Sequence, residues 1–88
     1  MSMKPAIKTF DADHESYTLE GCYINELSNS DDDAEVSIAQ ARVKPGITTR
    51  WHWLAETDER YVILSGEGLM EVGDLPAQSV RPGDVVLI

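Results

Sequence analysis

Proline followed by glycine occurs at Pro45-Gly46 and again at Pro82-Gly83, and two further glycine-marked breaks fall at Ser65-Gly66-Glu67-Gly68 and Gly73-Asp74-Leu75-Pro76. Proline presets φ at the first central position of a turn. Glycine then supplies the positive φ that a type II turn demands at the second. Such breaks cut the chain into short apolar segments: Cys22 to Leu27, Val36 to Val43, Thr48 to Leu54, Tyr61 to Ser65, Leu69 to Val72 and Asp84 to Ile88. Most are rich in Val, Ile, Thr or aromatics, the residues that fit a pleated surface. No stretch carries a 3.6-residue apolar period, and Asp11 to Leu19 is long enough for one helical turn at most. Ser65-Gly66-Glu67-Gly68 links two apolar segments and reads as a tight hairpin. Ser28 to Asp33 reads as a solvated loop. Short strands with evenly spaced turns define an all-β chain, an antiparallel sandwich or small barrel.

With 88 residues, the expectation is one domain over residues 1–88, burying roughly 60% of the surface that its unfolded chain exposes. An apolar share of 42% excludes a disordered tail. No apolar run approaches the ~18 residues of a membrane helix. Seven basic residues against sixteen acidic ones give a net charge of −9. That sign provides no footprint for nucleic-acid phosphates and repels anionic lipid, so neither nucleic acid nor membrane is an expected partner. One cysteine, Cys22, rules out an internal disulfide and a Cys-x-x-Cys zinc knuckle. No apolar leader follows Met1-Ser2-Met3-Lys4-Pro5, and with a single unpaired thiol a reducing cytoplasm is the expected location. Asp31-Asp32-Asp33 lacks the alternating ligands and central glycine of an EF-hand calcium loop. Val85-Val86-Leu87-Ile88 is the most apolar run, and the sequence stops inside it. The expectation is a natural chain that continues past Ile88, since a terminal carboxylate is costly in a buried strand.

The chemistry concentrates between Pro45 and Gly66. Gly46 is followed after five residues by His52, after one by Leu54, after four by Glu59 and after six by Gly66. Alternation along a strand puts Arg50, His52 and Leu54 on one face and Thr49, Trp51 and Trp53 on the other. On the next strand, Glu59, Tyr61 and Ile63 share a face, and Arg60 points away. An imidazole and a carboxylate on adjacent strands can hold a divalent metal, or act together as base and orienting acid.

This pattern resembles the first motif of the cupin superfamily, in which Gly, His-x-His, Glu and Gly recur at these intervals. Val80-Arg81-Pro82-Gly83-Asp84-Val85-Val86-Leu87-Ile88 resembles the Pro-Gly-Asp strand that leads into the second cupin motif. The resemblance covers residues 36–88, leaving residues 1–20 as an N-terminal extension or edge strand. It implies a small antiparallel barrel of the double-stranded β-helix, or jelly-roll, type, incomplete at its C-terminal end. It also implies that His52 and Glu59 face each other in the hollow. Metal-binding cupins add the second histidine of the first motif and one from the second motif. Here Leu54 stands at the former position, and the latter would lie beyond Ile88. Only His52 and Glu59 therefore match the metal-ligand pattern for one divalent transition metal (Fe, Mn, Ni, Zn or Cu), against the three or more ligands of a selective site.

Three readings follow. The first is a non-metal pocket for a small polar or anionic molecule, lined by His52, Glu59 and Tyr61, with Arg50 placed to contact an anion. The second is a metal-dependent enzyme of the oxygenase or sugar-isomerase type. The third is a homodimerising module with a vestigial pocket. Trp51 and Trp53 would then anchor the interface, or else fill the chain's own core. Cys22 is expected to be a small buried hydrophobe, and His14, between Asp13 and Glu15, to be exposed.

Overall fold

The structure is a computed structural model that describes residues 3–50 and 56–88. Trp51, His52, Trp53, Leu54 and Ala55 lie outside the described residues, and with them much of the expected strand from Thr48 to Leu54. Two compact units divide the chain, Met1–His52 and Trp53–Ile88. The described residues form seven short strands and two 3-10 turns, with no α-helix, so the all-β expectation stands. They form three small sheets rather than one continuous one.

The first unit is built on a three-stranded antiparallel sheet in the order β1 (Ser16–Tyr17), β2 (Tyr23–Ser28), β3 (Ile38–Arg42). β1 and β2 form a tight hairpin. Thr18 N–H donates to Cys22 O at 2.9 Å, and Gly21 N–H donates back to Thr18 O at 3.2 Å. The register sets Tyr17 opposite Tyr23, and Tyr23 opposite Arg42, so three side chains form a row across the sheet. A register shift between Glu26 and Ser28 interrupts the far end of the β2–β3 pairing. Cys22 is buried, as its size and apolar character lead one to expect. Asn25 is buried more deeply still, at 2% exposure. Its Nδ2 donates to the backbone oxygen of Asp11 at 2.8 Å. That bond fastens the segment ahead of the 3-10 turn at Ala12–His14 to the middle of β2. Further along the chain, Lys4 N–H donates to Asp32 O at 2.7 Å beside the second 3-10 turn, Asp31–Asp33. His14 is exposed, with Nε2 at 3.4 Å from Asp11 Oδ2.

The second unit corrects the expected hairpin at Ser65–Gly68. β4 (Arg60–Val62) does not pair with β5 (Gly68–Met70). β4 pairs antiparallel with β7 (Val85–Leu87), while β5 pairs with β6 (Gln78–Val80). One hairpin is nested inside the other. From the Val62–Val85 pair to the Gly68–Val80 pair the first limb advances six residues and the second retreats five. The glycines at 66 and 68 therefore lie where the chain passes from one two-stranded sheet to the next, and they do not pair β4 with β5. Reversal occurs at Gly73-Asp74, where Leu75 N–H donates to Val72 O at 3.1 Å. β1 and β6 were not legible as strands. Ser16-Tyr17 and Gln78-Ser79-Val80 are too short and too polar to stand out, and only their partners make them strands.

Both Pro-Gly pairs form the turns their chemistry specifies. Gly46 has φ 80° and Gly83 has φ 95°. Ile47 N–H reaches Lys44 O at 3.2 Å, and Asp84 N–H reaches Arg81 O at 3.0 Å. The second turn is reinforced by Asp84, whose Oδ2 accepts from Arg81 N–H at 3.0 Å. A Cβ at either glycine would meet nothing within 4 Å, so the cost of substitution there is torsional rather than steric. Gly46→Ala and Gly83→Ala should each lower unfolding free energy by about 1–2 kcal/mol in urea denaturation. Gly68→Ala, with no positive φ and equally open space, should not be destabilising by more than about 0.5 kcal/mol. Equal losses at all three would show that the turn torsions are not the cause. In the first unit, Asn25→Ala removes the bond to Asp11. It should cost about 1–3 kcal/mol and speed amide exchange around residues 11–15 before exchange elsewhere.

Candidate functional site

β4 positions the acidic part of the expected site. Glu59, Tyr61 and Ile63 are half-buried, whereas Arg60, Val62 and Leu64 are exposed. The alternation is the period of two that a strand imposes. The pairing with β7 fixes it. Glu59 N–H donates to Ile88 O at 3.3 Å, and Ile88 N–H donates back to Glu59 O at 3.0 Å. Tyr61 stands opposite Val86, the buried apolar residue among the described residues of this unit. Ile63 closes the ladder, donating to Asp84 O at 3.0 Å and accepting from Gly83 N–H at 2.9 Å. Glu59 also lines an open concavity of about 200 Å³ with Asp58, Arg60, Leu87 and Ile88. That volume falls short of the roughly 300–1,000 Å³ typical of small-molecule pockets, so by itself it admits only a few heavy atoms. Its wall carries two carboxylates and one guanidinium.

Of the four residues singled out in the sequence, the structure thus brings two, Glu59 and Tyr61, onto one half-buried face. Arg50 belongs to the first unit, where its side chain is exposed and its backbone N–H donates to Glu20 O at 2.9 Å. His52 lies outside the described residues. Arg60 is exposed, as strand parity requires. Trp51 and Trp53, the expected dimer anchors, are likewise outside them.

The strongest electrostatic arrangement among the described residues was not visible in the sequence. Arg42 donates from Nε to Glu15 Oε2 at 3.0 Å, and from Nη2 to Glu15 Oε1 at 2.6 Å. The same guanidinium lies 4.3 Å from the centroid of the Tyr23 ring. Lys44 Nζ approaches that ring at 5.4 Å, and Tyr17 meets it edge-on at 5.0 Å. A planar guanidinium can grip a carboxylate with two donors while its flat side rests on an aromatic ring. The hydrogen bonds from Arg42 hold the Glu15 carboxyl below its ordinary range, and those bonds raise Arg42 in turn. Residues 15 and 42 meet only because β1 and β3 both flank β2, and no local signal announces that.

Among the described residues, no group of three or more His, Cys, Asp or Glu side chains comes together to hold a metal ion. No described helix is long and apolar enough to cross a membrane. No family model, curated protein or solved structure matches the chain.

The Glu15–Arg42 pair carries a pH signature. A carboxyl whose folded pKa is lowered contributes stability above its unfolded value, near 4.5, and loses that contribution as pH falls through the lowered folded value. Arg42→Gln should return the Glu15 titration, followed by carboxyl carbon NMR, toward 4.5. It should also shift acid unfolding to higher pH. An unchanged Glu15 titration would show that the pair does not form in solution.

Proposed function

We propose that this chain is a small cupin-like β domain that binds a small polar or anionic molecule. Tyr61 on β4 and Glu59, the residue just before that strand, are its binding groups, and His52 and Arg50 are the groups the sequence pattern adds. The observation that supports the reading best is the half-buried face of β4, where a carboxylate and a phenol stand two residues apart. Glu59 is the position that the Gly46–His52–Glu59–Gly66 spacing singles out, and Tyr61 shares its face by strand parity. A carboxylate and a phenol offer acceptor and donor sites to hydroxyl groups, and Arg50 would supply the positive charge that an anion needs on a chain of net charge −9. The jelly-roll barrel is part of the same proposal. A resident metal is a poorer fit: Leu54 has no lone pair to offer, so His52 and Glu59 make two protein ligands where selective sites use three or more.

The test is an NMR titration of the purified chain with a panel of simple sugars and small carboxylates, with elemental analysis of the same sample. A binder should shift the resonances of Glu59 and Tyr61. His52→Ala and Glu59→Gln should each weaken it by about tenfold or more, equivalent to about 1.4 kcal/mol. Arg50→Gln should weaken carboxylates selectively. Binding indifferent to both His52→Ala and Glu59→Gln would overturn the assignment. A near-stoichiometric transition metal retained without chelator would replace it with the metal-enzyme reading.

A further inference from the structure

A three-stranded sheet ordered β1-β2-β3 leaves the outer edge of β3 without a strand partner among the described residues. Ile38-Ala39-Gln40-Ala41-Arg42 is the longest edge strand described; β4 to β7 have three residues each and β1 has two. Natural edges are blunted by proline, by lysine within the strand or by a bulge that twists them away. β3 contains no proline, glycine or lysine, and the register shift lies on its β2 side. Its apolar residues are open to solvent, with Ile38 at 54% exposure and Val36 and Val43 at 52% and 45%. The chain is also electrically polarised along this edge. Asp31, Asp32, Asp33 and Glu35 precede the strand, and Arg42 and Lys44 end and follow it.

We propose that the β3 edge is a self-association surface, pairing antiparallel with β3 of a second copy about a twofold axis at Gln40. Antiparallel pairing sets the acidic end of each copy beside the basic end of the other. This charge complementarity selects a second copy over an unrelated strand. Backbone donors and acceptors on both edges are satisfied, and Ile38, Val36 and Val43 lose solvent contact. The twofold makes the interface self-complementary and closed, so the product is a dimer and not a fibre.

Size-exclusion chromatography with light scattering, run over a concentration series, tests this. The wild-type chain should pass from monomer to dimer with rising concentration, and more weakly at high salt, since exposed charges are screened. Ala39→Lys with Ala41→Lys places like charges together at the axis and should leave a monomer. Lys44→Glu and Glu35→Lys should each raise the dimer dissociation constant by about tenfold. Combined, they should restore it. The two single changes move the net charge in opposite directions, so a bulk-charge effect would weaken one and strengthen the other. Both reversed residues are exposed and lie outside the strand, so they decide the matter even where the double lysine variant fails to fold. A wild-type chain that stays monomeric throughout would overturn the proposal. So would a dimer insensitive to the lysines in a folded variant, or reversal variants that track net charge.

Discussion

Glu59 and Ile88 exchange both of their backbone hydrogen bonds, and from that pair the ladder runs inward through Arg60–Leu87, Tyr61–Val86 and Val62–Val85 to the bonds joining Ile63 with Gly83 and Asp84. Everything local to β4 depends on this ladder. It sets which side chains face inward, and so brings Glu59, Tyr61 and Ile63 to one face. It also holds Gly83 in the left-handed conformation that lets the chain turn back on Arg81. An antiparallel ladder constrains register tightly, because a slip of one residue would move every side chain to the opposite face. The acidic group of the candidate site is therefore located by main-chain bonds more than by contacts of its own side chain.

Backbone pairing carries this weight because side-chain burial is thin. Among the described residues the buried apolar side chains are Cys22 and Val86, and the most deeply buried one is the polar Asn25. Burying Asn25 would be unfavourable without a partner, and the bond to Asp11 supplies one. No buried side-chain nitrogen or oxygen among the described residues lacks a partner. By contrast Val62, Leu64, Val85 and Leu87 stand well exposed on the outer face of the β4–β7 ribbon. A strand apolar on both sides belongs between two layers, and in this ribbon only one side is shielded. The two units share short ladders and turns held by glycine torsion, and the first adds polar pins, Asn25 and the Glu15–Arg42 fork.

The candidate site was legible in the sequence as far as strand parity reaches. Parity alone put Glu59, Tyr61 and Ile63 together and turned Arg60 outward, and both follow from the period of two along β4. It could not reach the pairing partners. Ser65-Gly66-Glu67-Gly68 reads locally as a reversal, yet β4 and β5 find their partners in β7 and β6 instead of in each other. Glu15 and Arg42 are separated by 27 positions, so their contact arises from two strands sharing one neighbour. The hairpin at Thr18–Gly21 has no local signal, because Glu20-Gly21 follows a stretch with little strand character; the bond to Cys22 makes it a turn.

The sequence by itself determined the two Pro-Gly turns and which side chains share a face along β4. Proline restricts φ within its own residue, glycine opens φ within its own, and alternation is a property of any extended chain. These effects act over one to four residues and need no partner. Tertiary structure alone decided which strands pair and which charges meet. Ladder bonds and ion pairs join groups far apart along the chain, and their energies depend on how the whole backbone closes. No window of neighbouring residues contains that information.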